Sequence, residues 1–321
     1  MSAIVFALPP SKALARATGL PLAPLELRRF DDGEHKSRPL VSVRGGDVYL
    51  VCSLHSNGGE SVNDRLCRLL FFAGAVRDSG ADRITIVAPY LCYSRKDRRT
   101  NPHDPVTTRY VARMIEAAGV DRVVTVDVHN RAAFENAFRI PTEHLEANPL
   151  FAARCRTLGN RLAVVSPDPG GFHRAEALRD TLEATTGTTV ELAMLGKHRK
   201  GGVVRTEAFV GDVDGRVAVI VDDMIVTGTT LARAAEACRL RGATAVHAMA
   251  THGMFGASAT GILGTSLLDS ITVTDSVTPD RVELPNLSVI SLAPMLADAI
   301  TVLHEERPIT PVIEGQEARA R

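Results

Sequence analysis

Two adjacent acids, Asp222 and Asp223, end the apolar run VAVIVDD, and Thr227, Gly228, Thr229 and Thr230 follow after three residues. An amphipathic stretch comes directly afterwards. Gly228 frees the backbone for an unusual conformation. The N–H groups of such a loop, its threonine hydroxyls and the start of the next helix form a cradle for a phosphate. The paired acids upstream suit the hydroxyls of a sugar, or waters around a divalent cation. An acidic strand end followed by a threonine cap is the plainer alternative. The full spacing D-D-x-x-x-T-G-x-T after a β-run favours phosphate binding, provided strand, loop and helix are present in that order.

Other chemistry-bearing groups are weaker alone. FDDGE at residues 30–34 reads as an acidic turn, and the basic cluster SRKDRR at residues 94–99 as a solvated surface. His129 closes RVVTVDVH, where a histidine is ordinarily a satisfied hydrogen-bonding residue. SPDPGG (residues 166–171) and the basic GKHRKGG (residues 196–202) each follow an apolar run.

The elements that must position these groups are legible as an alternation. DVYLVCS, RITIVAPY and RVVTVDVH read as buried strands, with helical spacing over residues 63–77 and 107–118 between them. Strands alternating with helices imply parallel sheets covered on both faces, and ligands then bind beyond the carboxyl ends of the strands. The pattern partly repeats. The segment ending at Tyr90 resembles the one ending at His252, and RVVTVDVH resembles RVAVIVDD, in swapped order along the chain. We read this as two related α/β halves meeting near residues 146–149.

Composition excludes several classes. The chain has 321 residues, 45% of them apolar, enough for two domain cores. Lys+Arg and Asp+Glu balance at 37 each, so no net charge draws it to nucleic acid or an anionic membrane. Its apolar stretches are strand-sized, far short of the roughly 20 residues a bilayer requires. The opening residues lack the parts of a secretory signal. Five scattered cysteines without a C-x-x-C pair read as reduced thiols, so a cytoplasmic protein is expected.

Taken together, VDDMIVTGTT, RRFDDGE, VRGGDVYLV, VNDRLCRLL, PYLCYSRKDRR, VDVHN, SPDPGG, ATHGMF and NLSVISLAPMLADAI resemble the motifs of the ribose-phosphate pyrophosphokinases. The first resembles the phosphoribosyl-diphosphate signature shared with type I phosphoribosyltransferases. The resemblance covers nearly the whole chain. It implies two phosphoribosyltransferase-like domains, each with a largely parallel five-stranded sheet flanked by helices. Residues 1–146 would contribute to ATP binding. Residues 147–321 would carry the ribose 5-phosphate loop, with a last helix that could pack back on the first domain.

The resemblance also implies roles. Phe30, Asp32 and Glu34 would hold adenine and ribose, and Arg95, Lys96 and Asp97 the rest of ATP, with Arg95 on its phosphates. Asp222, Asp223, Thr227, Gly228, Thr229 and Thr230 would bind ribose 5-phosphate. Gly170 and Gly171 would form the diphosphate loop, and His129 and Asp168 would hold Mg²⁺. Lys197 and Arg199 would be catalytic, on a flexible loop after the strand ELAML. The activity implied is transfer of a diphosphate from Mg-ATP to ribose 5-phosphate in a homo-oligomer built from dimers, up to a hexamer, with no nucleic-acid or membrane partner. The sequence departs from the family at Val226, where Asp is usual, at Thr229 for Gly and at Lys96 for Gln. A non-catalytic nucleotide-binding paralogue and a base-directed phosphoribosyltransferase are the competing readings. Retention of His129, Asp168, Lys197, Arg199, Asp222 and Asp223 argues against the first, and the N-terminal nucleotide motifs against the second.

Overall fold

The computed structural model describes residues 3–56, 59–200, 203–279 and 282–315. The chain divides into two compact units. One comprises Met1–Glu146, Ser276–Thr278 and Ser291–Arg321; the other comprises Ala147–Asp275 and Pro279–Ile290.

The first unit begins with β1 (Ile4–Ala7), α1 (Lys12–Ala17) and an antiparallel hairpin of β2 (Leu25–Arg29) and β3 (His35–Pro39). There follow β4 (Asp47–Val51), α2 (Val62–Asp78), β5 (Arg83–Ala88), α3 (Thr107–Ala117), β6 (Arg122–Val126), α4 (Arg131–Ala137) and β7 (Thr142–Leu145). Its five-stranded sheet has the order β1-β4-β5-β6-β7, parallel throughout. Those strands are continuous apolar runs because both sheet faces are covered. α2 opens on a capping box, in which the Ser61 hydroxyl accepts from Asp64 N at 3.2 Å and the Asp64 carboxylate accepts from Ser61 N at 2.9 Å. Its exit turn carries Gly80 at φ 87°, in the left-handed region that favours glycine after a helix.

The second unit contains α5 (Asn148–Cys155), β8 (Leu162–Ser166), α6 (Phe172–Thr186), β9 (Glu191–Lys200), β10 (Val203–Val210) and β11 (Val217–Ile225). It continues through α7 (Thr229–Leu240), β12 (Ala245–Gly253), α8 (Ala259–Gly264), β13 (Ser270–Thr274) and β14 (Leu287–Ile290). The sheet order is β10-β9-β8-β11-β12-β13-β14, with only β10 antiparallel to its neighbour. Alternate residues of β11 serve opposite cores, as a two-residue period requires. Ala218 and Ile220 pack with Leu231, Ala234 and Cys238 of α7. Val219 and Val221 pack with Leu178 and Leu182 of α6.

Two sequence expectations change here. The second sheet has seven strands rather than five, because β9 and β10 pair with each other in antiparallel fashion at its edge. Residues 196–200, expected in a loop, continue β9. VVRTEAFV supplies the β-branched pairing partner, which outweighs the polar character of KHRK. The internal repeat is real in topology but not in the swapped order read from sequence. Strands β1, β4, β5, β6 and β7 correspond by sheet position to β8, β11, β12, β13 and β14. The match of β5 with β12 therefore holds. RVVTVDVH on β6 corresponds to SITVT on β13, whereas RVAVIVDD on β11 corresponds to DVYLV on β4.

The last helices, α9 (Ala293–His304) and α10 (Thr310–Ile313), belong to the first unit, and α9 packs against α1. His304 Nδ1 lies 2.7 Å from Asp47 Oδ2, on a carboxylate that Arg83 also grips with two 2.8 Å hydrogen bonds. Burial opposes ionisation of Asp47, yet the hydrogen bonds from Arg83, His304 and Tyr49 prevail and hold its carboxyl below the usual range.

Candidate active site

In the second unit the candidate groups lie at the carboxyl ends of β8 and β11, where a parallel sheet presents ligand-binding residues. β11 runs on through Asp222 and Asp223 to Ile225, so the acids are within the strand rather than just beyond it. Asp223 is buried and Asp222 half-buried. Burial, and then the neighbouring Asp223, push the Asp222 carboxyl well above the usual carboxylate range. Arg174 of α6 offsets this: its Nη1 donates to Asp222 Oδ1 at 3.4 Å and its Nη2 lies 3.8 Å from Asp223 Oδ2.

The loop after β11 has the conformation that its glycine allows. Gly228 has φ 81° and immediately precedes α7; a Cβ there would come within 2.5 Å of Leu263. The Thr227 and Thr229 hydroxyls are 3.2 Å apart, and Thr227 Oγ1 accepts from Thr229 N at 3.4 Å. The backbone of residues 254–256 braces the loop, with Gly256 N donating to Val226 O at 2.7 Å and Phe255 N to Ile225 O at 3.0 Å. Thr227, Gly228, Thr229 and Thr230 thus form a strand-to-helix turn whose N–H groups and dipole suit an anion.

After β8, the Asp168 carboxylate accepts hydrogen bonds from Gly170 N at 2.9 Å and Gly171 N at 3.1 Å, and Ser166 Oγ donates to Asp168 O at 2.6 Å. The two glycine amides therefore hold the Asp168 carboxylate in place. A Cβ on Gly171 would lie 3.1 Å from Ser166 Oγ, a close but not forbidden contact. Lys197 and Arg199 pair through their backbones with Glu207 and Val204 of β10; their side chains lie outside the described residues.

In the first unit, FDDGE forms the tip of the β2–β3 hairpin. Phe30 N donates to Glu34 O at 2.8 Å and Glu34 N to Asp32 Oδ1 at 3.0 Å. The Phe30 ring is exposed, with the Arg28 guanidinium 4.9 Å from its centre. Arg95 is exposed and Lys96 and Asp97 are half-buried. Lys96 Nζ donates to Asp104 at 2.7 Å, and this bond with those from Thr100 drives the Asp104 carboxyl far below its usual range. Asn130 ties the acid of this cluster to the histidine's loop, donating to Asp97 Oδ2 at 2.6 Å while it caps α4. His129 is exposed beside it. Sequence reading missed His144, whose Nε2 accepts from Val128 N at 3.1 Å and so fixes the backbone next to His129. It also missed Arg174, because an arginine in the first turn of a helix looks like solvated surface.

Asp168 offers a hard carboxylate oxygen held in place by two N–H donors. Such a donor fits Mg²⁺, which is held through one or two carboxylates together with substrate phosphates. Among the described residues no group of three or more His, Cys, Asp or Glu side chains is placed to hold a metal ion by itself. A cavity of about 320 Å³ between Arg83, Arg122, Glu143, Leu303 and Arg307 opens at the amino ends of β5 and β6, away from the motif-bearing strand ends. No helix among the described residues is long and apolar enough to cross a membrane.

Comparison with known proteins agrees along the chain. Residues 8–119 match the N-terminal domain of ribose phosphate pyrophosphokinase, and residues 164–312 match the phosphoribosyl synthetase-associated domain. A Streptococcus pyogenes protein, whose name marks it as a provisional ribose-phosphate pyrophosphokinase 2, is 37% identical over 96% of this chain and 92% of its own length. Ribose-phosphate pyrophosphokinase 1 of Streptococcus mutans is 34% identical over 97% of this chain and 96% of its own. The crystal structure of phosphoribosylpyrophosphate synthetase from Mycobacterium smegmatis superposes with a TM-score of 0.85 at 31% identity, covering 95% of this chain and 100% of that one.

Proposed function

The chain belongs to the ribose-phosphate pyrophosphokinase family, and from that membership we propose that it transfers the diphosphate of ATP to the 1-hydroxyl of ribose 5-phosphate, giving phosphoribosyl diphosphate and AMP. The observation that carries the reading is the β11–loop–α7 turn, with an acid pair on the strand and Gly228 at φ 81° opening the helix.

In this reading the turn of residues 227–230 receives the 5-phosphate on its N–H groups and hydroxyls. Asp222 and Asp223 accept the ribose hydroxyls and so orient the 1-hydroxyl toward the β-phosphorus of ATP. Phe30 stacks on the adenine, Asp32 and Glu34 hold the nucleoside, and Arg95, Lys96 and Asp97 line the triphosphate. A guanidinium at Arg95 is suited to bidentate contact with phosphate oxygens. Charge grows on the transferring group and on the oxygen that leaves with AMP; Lys197 and Arg199 at the end of β9 neutralise it. Asp168 and His129 are the residues that would hold Mg²⁺, which when bound would withdraw electron density from the phosphate oxygens. Asp168 is kept in place for that task by the amides of Gly170 and Gly171. We assign a dimer-based homo-oligomer as the working form.

The test is a product assay with purified protein, Mg²⁺, ATP and ribose 5-phosphate, following AMP and phosphoribosyl diphosphate together. Equal appearance of both supports the reading. ATP binding without either product replaces it with a non-catalytic, nucleotide-binding role.

A further inference from the structure

Arg174 stands between the two halves of the second unit's site. It lies in the first turn of α6, three residues beyond Gly171. Its guanidinium faces both acids at the end of β11, with Nη1 at 3.4 Å from Asp222 Oδ1 and Nη2 at 3.8 Å from Asp223 Oδ2. The same Nη1 would be 3.6 Å from a Cβ at Gly171, so the guanidinium also runs along the turn that holds Asp168. All three side chains are withdrawn from solvent, Arg174 to 18% exposure, Asp222 to 22% and Asp223 to 5%. Two carboxylates side by side and largely withdrawn from water repel each other and need a counter-charge to remain acceptors for hydroxyl groups.

We propose that Arg174 is a positioning residue: its guanidinium, divided between Asp222 and Asp223, sets the spacing and orientation of the two carboxylates that receive the hydroxyls of the sugar phosphate. This rests on the ribose 5-phosphate reading of the β11 loop. The division needs a fork. A planar guanidinium offers donors in fixed directions to two acceptors, whereas the ammonium of lysine is a single point on a flexible stem. Arg174 acts through the acids and touches no reacting atom, so its loss weakens sugar-phosphate recognition more than it affects the nucleotide.

The experiment compares wild-type full-length protein with Arg174→Gln and Arg174→Lys. It measures ribose 5-phosphate binding by calorimetry without ATP, and KM for each substrate together with kcat from AMP formation. We expect Arg174→Gln to weaken ribose 5-phosphate binding and raise its KM by about tenfold or more, with KM for ATP changed by less than about twofold. Arg174→Lys restores part of the loss, because it returns the charge but not the fork. Equal ribose 5-phosphate affinity in wild type and Arg174→Gln overturns the inference, and so does a parallel rise in both KM values, which marks a general structural defect. Full rescue by lysine overturns the role of the fork. If Arg174→Gln does not fold, Arg174→Lys carries the test alone: unchanged sugar-phosphate affinity then refutes the proposal. Failure of the reaction assignment looks different. Wild-type protein that binds ribose 5-phosphate but releases no AMP removes the pyrophosphokinase activity, while the calorimetric comparison still decides the part played by Arg174. Wild-type protein that binds no ribose 5-phosphate overturns both.

Discussion

Arg77, in the last turn of α2, donates to the carboxylate of Asp121 at the mouth of β6, and that carboxylate also accepts from Ile84 N at 2.7 Å. The second unit has the same arrangement. Arg239 at the end of α7 donates to Asp269, which accepts from Val246 N at 2.6 Å. Each arginine further binds nearby carbonyls, Gly119 and Ala81 in one case and Leu267 and Thr244 in the other. One aspartate thus links a helix exit to the start of the strand it feeds and to the neighbouring strand.

Asp121→Ala leaves Ile84 N and the Arg77 guanidinium short of a partner. We expect a loss of about 1–3 kcal/mol, read as a lower midpoint in urea unfolding and smaller at high salt, because the ion pair is partly exposed. Asp269→Ala should behave alike in the second unit. A midpoint unchanged in both variants would show that the latch contributes nothing.

Gly228→Ala places a Cβ at φ 81° and within 2.5 Å of Leu263. Left-handed strain and overpacking together cost about 2–4 kcal/mol. The variant should melt at lower temperature and bind ribose 5-phosphate more weakly, while ATP binding is spared. Wild-type affinity for the sugar phosphate in this variant would remove the loop from the binding site.

Asp222→Asn separates stability from function. Burial and then Asp223 raise the Asp222 carboxyl, so folding favours its protonated form. That contribution is fully present below the unfolded value and is lost as pH climbs from the ordinary 3.8 toward the raised folded value. Asparagine carries no such dependence. The variant should therefore gain stability relative to wild type as pH rises through that window, while losing ribose 5-phosphate affinity. Parallel melting curves across the window would contradict the raised Asp222 carboxyl.

Lys197→Ala tests the basic end of β9. If the ammonium acts on developing charge, kcat falls about 10²-fold or more while KM for ATP moves only a few-fold. Unchanged turnover would take this end of β9 out of the chemistry.

The positions of the acids, the Thr-Gly-Thr-Thr turn and the Asp168 turn could be read from sequence because each follows an apolar run at a fixed offset. The order of the repeat could not. RVVTV and VAVIV look alike because strands of a parallel sheet are apolar on both faces, so their composition does not record their place in it. The β9–β10 pairing was hidden by the basic, glycine-flanked KHRK, although the β-branched content of VVRTEAFV was a usable signal. Arg174, His144 and the reach of Ser53 to the backbone of Ser276 depend on partners tens to hundreds of residues away, and local spacing is silent about those.

The first unit closes only with its last pieces, since α9, α10 and the strap Ser276–Thr278 are encoded after nearly all of the second unit. At about 5–20 residues per second, the α1 surface that receives α9 stays uncovered for tens of seconds while the ribosome makes the intervening chain. The N-terminal half is thus an unfinished body throughout synthesis, and the second unit is the part able to complete its own core first. A nascent chain released before Ala293 would expose the apolar face meant for α9 and be a substrate for chaperones or proteases.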